Sequence, residues 1–149
     1  MDIVFVGTTR FGLRCLETLL GLPQCRIAGV VAARPTLRIS YRPEGVRNVL
    51  HADMESYCEA KSLPLLLLSE GMAAPGALEQ VAGWSPDAFV VAGWFHMIPK
   101  AWRKLAPAYG LHASLLPDYS GGAPLVWAMI NGEGRTGITL FQLADGVDD

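Results

Sequence analysis

Short apolar runs at residues 3–6, 26–33, 63–68, 87–93, 110–116 and 136–143 are separated by stretches whose apolar residues return at helical spacing. That alternation constrains the fold more than any other property of the chain. A run of four to eight apolar residues is the length of a strand, and repeated strand–helix units at this spacing build a parallel sheet. The run at 87–93, apolar after Asp87, is of the kind that is covered on both faces. The expected fold is α/β: a doubly wound, mostly parallel sheet with helices on both faces. Phe11, Cys15, Leu16, Leu19 and Leu20 mark the first helix, which Leu22-Pro23 stops. Leu50, Met54, Tyr57 and Cys58 predict a second, begun near Asn48; Leu78 to Val81, Trp102 to Leu105 and Pro124 to about Asn131 predict three more. Residues 34–45 hold prolines, three arginines and no apolar period, and read as a loop long enough to be a functional lid. Arg34, Arg38, Arg42 and Arg47 are there to meet an anionic substrate, or to solvate a mobile loop.

A chain of 149 residues is one domain, 1–149, with an ordinary core. Its 12 basic and 14 acidic residues leave no electrostatic footprint for a nucleic-acid backbone and favour a small-molecule partner. Cys15, Cys25 and Cys58 form no Cys-x-x-Cys pair and no leader precedes the first strand, so the expected setting is a reducing, cytoplasmic one. No apolar run approaches the roughly 18 residues of a membrane span. The three histidines and three cysteines lack zinc-like spacing, so no metal is expected. Residues 7–12 spell neither a P-loop nor Gly-x-Gly-x-x-Gly; Gly7 is a structural turn or, with Thr8, one wall of a ligand cleft.

One stretch carries chemistry. Gly110-Leu111-His112-Ala113-Ser114-Leu115-Leu116-Pro117 delivers a single imidazole at the carboxyl end of a strand, where open α/β sheets keep their sites. Asp118-Tyr119-Ser120-Gly121-Gly122-Ala123-Pro124 follows as a turn into a helix, with Gly121 and Gly122 allowing close backbone approach. Trp94-Phe95-His96-Met97-Ile98-Pro99, after the most apolar strand, offers the apolar walls and main-chain groups that a flat bicyclic ring needs, or else plugs into the core. His51 lies on a predicted helix beside Asp53 and reads as a surface group.

This order of motifs resembles the 10-formyltetrahydrofolate-dependent formyltransferase family, above all the N-terminal catalytic domain of its methionyl-tRNA branch. The likeness takes in residues 3–8, 91–99, 110–124 and 136–139 running into Gly146-Val147-Asp148, and so nearly the whole chain. It implies formyl transfer from 10-formyltetrahydrofolate to an amine, through a tetrahedral intermediate whose oxyanion needs a donor. It implies His112 as the catalytic histidine and Asp148 as the carboxylate that sets its charge. It assigns the folate to Trp94, Phe95, His96, Met97, Ile98, Pro99, Ser114 and Leu115, with Gly7, Thr8, Gly110, Gly121 and Gly122 lining the cleft. The family carries asparagine where Gly110 stands, so an oxyanion donor is missing; His96 or a main-chain amide substitutes, the substrate differs, or activity is low. The chain ends at Asp149, within what the family uses as an active-site loop, and is expected to be incomplete at that end. The expected partners are a reduced folate and a small amine; tRNA is possible but is not favoured by the charge. The alternatives are a formyltetrahydrofolate hydrolase and a catalytically silent folate-binding module. Free formate without added amine marks the first, and binding without turnover marks the second.

Overall fold

The computed structural model describes residues 1–39, 42–69 and 71–146. At its centre lies β1 (Asp2–Val6), whose side chains alternate between two apolar layers. Ile3 and Phe5 face the layer of Leu16, Met54 and Cys58, while Val4 and Val6 face that of Val81, Phe89 and Trp102. The period of two in a strand makes this division automatic once both faces are covered.

α1 (Arg10–Leu20) leads to β2 (Arg26–Ala33), which pairs in parallel with β1. A hairpin, β3 (Thr36–Ile39) and β4 (Arg42–Arg47), comes next. α2 (Met54–Ala60) then leads to β5 (Leu65–Leu68), on the outer side of β2. α3 (Ala77–Gly83) carries the chain back to β6 (Ala88–Val91), on the other side of β1. α4 (Lys100–Arg103), β7 (Ala108–His112), α5 (Pro124–Ile130) and β8 (Thr139–Gln142) complete the order β5-β2-β1-β6-β7-β8. All neighbours are parallel except β7 and β8. The doubly wound, mostly parallel sheet is therefore present. α1 and α2 cover one face, α3 and α4 the other.

Several expectations need correction. The described part of residues 34–45 is not a plain loop, because Thr36–Ile39 pairs with Arg42–Arg47 in an antiparallel ribbon outside the main sheet. A two-stranded ribbon with few apolar residues leaves little periodic signal. The second helix does not start near Asn48: the Asn48 side chain accepts from the Leu50 amide to form a turn, and Asp53 caps the helix at Ser56. The 110–116 strand spans Ala108–His112 instead, and the 136–143 strand is a shorter antiparallel edge.

α1 enters the fold through close backbone contact. A Cβ on Gly7 would lie 2.3 Å from the Ala92 carbonyl oxygen, and one on Gly12 2.5 Å from the same atom. Gly83, on exposed helix surface, has nothing within 4 Å of its Cβ position. Gly7→Ala is expected to lower the free energy of unfolding in urea by about 2–3 kcal/mol. Gly83→Ala should instead raise it by about 0.5–1 kcal/mol.

Candidate active site

The parallel register of β6 and β7, with Val91 opposite Gly110, brings the segment after Val91 and the side chain of His112 out at one edge of the sheet. Ala108, Gly110 and His112 share one face of β7, and His112 is only 8% exposed. Its Nε2 lies 2.8 Å from the carbonyl oxygen of Tyr119. A carbonyl only accepts, so in this contact Nε2 is the donor.

The loop after His112 is held from two sides. The Ser114 hydroxyl donates to the Asp118 carbonyl at 2.6 Å. Thr139, paired with His112 across the β7–β8 ladder, donates to the Ser114 carbonyl at 2.7 Å and accepts from the Leu116 amide at 3.1 Å. Ser114 is consequently buried with its hydroxyl turned into the loop, whereas Leu115 is 45% exposed. Gly121 and Gly122 follow in the turn before α5, with open space around their Cβ positions.

In the neighbouring loop, Phe95 and Met97 are 49% and 54% exposed, while Ile98 is buried and Pro99 begins α4. The Trp94 and His96 rings meet edge to face, with centroids 5.4 Å apart. The buried indole N–H of Trp94 meets no acceptor among the described residues. Burial pushes the His96 pKa down, favouring the neutral ring. Arg103 ties this loop to the chain beyond β8, donating from Nε to the Ile98 carbonyl at 3.2 Å and from its guanidinium to Asp145 at 2.6 Å. Lys100 joins the same carboxylate at 2.8 Å, and the two cations hold the Asp145 pKa down at about 2.

Gly7 and Thr8 follow β1 at the same end of the sheet, where the Thr8 amide donates to the Gly93 carbonyl at 3.2 Å. Both are buried, and the Thr8 hydroxyl donates to the Ala33 carbonyl at 2.8 Å. Gly7 packs its backbone against Ala92, the residue that opens the segment after β6. His51 precedes α2 instead of lying on it, and its Nδ1 reaches the Thr8 hydroxyl at 3.3 Å. That contact makes it half-buried, not a plain surface group. Burial lowers its pKa, outweighing the opposing effect of Asp53.

The profile of the Formyl transferase family matches residues 25–149. The chain belongs to the formyltransferase family. It corresponds to the N-terminal catalytic domain. It is 36% identical over 152 aligned residues to the methionyl-tRNA formyltransferase of Citrifermentans bemidjiense, covering 99% of this chain and 45% of that protein. The methionyl-tRNA formyltransferase of Syntrophus aciditrophicus is also 36% identical, with 46% of its length covered. The chain thus spans about half the length of these relatives. The phosphoribosylglycinamide formyltransferase of Bacillus halodurans shares the fold, with a TM-score of 0.74 at 15% identity over all of this chain and 75% of that one.

In this formyltransferase domain the geometry unites His112, Leu115 and the 94–99 loop at one edge, and Gly110 below them. Asp148 lies outside the described residues. Among the described residues no group of three or more His, Cys, Asp or Glu could hold a metal ion, and no helix is long and apolar enough to cross a membrane. A Cβ at Gly110 would come 3.1 Å from the Phe141 ring and 3.3 Å from Leu143, so the neighbouring strand fills the space beside this glycine. Sequence reasoning missed the roles of Tyr119, Thr139 and the Arg103–Asp145 pair. Only Thr139 left a signal there, as one of two residues, with Gln142, that break the apolar run of 136–143.

Folded His51 and His96 resist protonation, so below the ordinary value of about 6.5 the unfolded chain binds more protons than the folded one. These two groups are therefore expected to make the domain lose stability as pH falls through about 6.5. Urea unfolding across that range should show a shallower acid-side loss in the His51→Asn, His96→Asn double variant.

Proposed function

We propose that this domain transfers a formyl group from 10-formyltetrahydrofolate to an amine, with methionyl-tRNA as the acceptor. The observation that carries the reading is the position of His112, at the end of β7 beside the loop that follows β6. The site fits a reduced folate in two respects. Phe95, Met97 and Leu115 leave apolar surface exposed at one sheet edge, as a flat bicyclic ring requires, and the Trp94 N–H is a buried donor awaiting an acceptor. When bound, the folate supplies the formyl group; no metal is needed for that chemistry.

The chain's own contribution is proton handling. With Nε2–H committed to the Tyr119 carbonyl, His112 holds or releases a proton at Nδ1. In the protonated form it supplies a charged donor for the oxyanion of acyl transfer. Asp148 is assigned the role of setting that charge. Gly110 offers no side-chain donor, so the oxyanion depends on His112 and main-chain amides.

The acceptor assignment is supported by the relatives named as methionyl-tRNA formyltransferases. The balance of total charge, which pointed away from tRNA, is a weak guide because backbone contact needs only a local set of cations. The hairpin supplies such a set by position: Arg38, Arg42 and Arg47 lie on β3 and β4, with Arg34 at their base.

In a single-turnover assay with methionyl-tRNA, His112→Ala and Asp148→Ala are each expected to lose roughly a hundredfold or more in rate. Folate binding, followed by fluorescence, should survive both changes. A loss below about tenfold would remove His112 from the chemistry. Gly110→Asn alone should gain nothing, because the added side chain meets Phe141; paired with Phe141→Ala, it should raise the rate by on the order of a hundredfold if the carboxamide serves as an oxyanion donor.

A further inference from the structure

We propose that Tyr119 is a positioning residue for His112, acting through its main chain while its hydroxyl is clamped to the end of α5. The inference rests on the reading of His112 as the proton carrier of the site. Its first ground is the bond from Nε2 of His112 to the Tyr119 carbonyl, at 2.8 Å. This contact holds a hydrogen on Nε2.

The carbonyl is held in an unusual conformation. Tyr119 has φ of 56°, in the left-handed region that residues with a Cβ seldom adopt. Such a backbone persists only where its surroundings hold it. Two anchors do so. Toward the N-terminus, the Ser114 hydroxyl grips the Asp118 carbonyl, and Thr139 grips Ser114. Toward the C-terminus, the Tyr119 hydroxyl donates to Glu133 Oε1 at 2.6 Å and accepts from Asn131 Nδ2 at 3.2 Å.

The second anchor is itself fixed to a helix end. Asn131 is the C-cap of α5, and the amides of Gly132 and Glu133 donate to the carbonyls of Met129 and Ala128. A tyrosine hydroxyl near the surface thereby sets the direction of a carbonyl close to the sheet edge. The hydroxyl does not touch the reacting atoms in this arrangement. It fixes the peptide, the peptide fixes the tautomer, and the tautomer leaves proton exchange to Nδ1.

The test reads the imidazole directly. With the chain labelled in nitrogen-15, the ring resonances of His112 are recorded at about pH 8.5, well above the ordinary imidazole value of about 6.5. They are assigned by their absence in His112→Gln. The parent chain should show one tautomer, with hydrogen on Nε2. Tyr119→Phe should give a mixture of tautomers, and so should Glu133→Ala, a change at an exposed position that spares the core. Glu133→Gln keeps an acceptor oxygen and should restore the single tautomer. The rate of formyl transfer should fall roughly ten- to a hundredfold in Tyr119→Phe, the scale on which a misplacement of about 1 Å acts, with KM for the folate unchanged.

Retention of the Nε2–H tautomer in both Tyr119→Phe and Glu133→Ala would overturn the clamp, whatever the activity. A mixed tautomer with an unaltered rate would support the clamp and count instead against His112 as the proton carrier.

Discussion

Every feature of the site depends on the parallel pairing of β6 with β7. The register sets Phe89 against Ala108, Val90 against Tyr109 and Val91 against Gly110. A shift of one residue would reverse the facing of every side chain on one of these strands, driving Phe89 out of the core or carrying His112 to the opposite face. The core prevents such a slip: Ala88, Phe89 and Ala108 are all buried, and Phe89 packs against Trp102 at a centroid distance of 6.0 Å. Hydrophobic burial several residues below the edge thus decides where an imidazole and a recognition loop emerge.

That edge was legible because buried parallel strands write themselves as apolar runs and because His112 lies in one of them, as the last residue of β7. The strands of the main sheet and the helices between them were readable on the same ground. The β3–β4 hairpin was not, since its two short strands carry few apolar residues and no alternation to read. The start of α2 was misplaced because Leu50 fits the helical period but is exposed, while the turn at Asn48 and the cap at Asp53 are set by local hydrogen bonds. The direction of β8 was invisible for another reason: a strand's composition records its burial, not the sense in which it pairs.

His112 itself was readable as a residue but not as a geometry. The partner of its Nε2 is a main-chain carbonyl, and main-chain groups leave no mark in a sequence. Gly110 shows the same limit from the other side. In the sequence it reads as a lost donor; in the structure it lies against Phe141 of the adjoining strand and Leu143 just beyond it. The glycine and the ring are complementary in volume, so the polar position is not a vacancy waiting for its side chain but part of an apolar wall.

The ion pairs of the site carry order more than stability. Asp145 is 64% exposed and so is screened by solvent, and pairs of that kind contribute little to folding even when their geometry is good. Their effect is to couple segments. Arg103, largely buried at 17% side-chain exposure, holds the Ile98 carbonyl with one nitrogen and Asp145 with another. The loop after β6 and the chain beyond β8 therefore share one guanidinium, and the loop after β7 is tied to β8 through Thr139. Three loops that are remote in sequence are linked through two side chains, Arg103 and Thr139, that sit on short regular elements. A site assembled in this way can accept changes in the residues that meet a ligand, because its geometry is carried by the ties behind them.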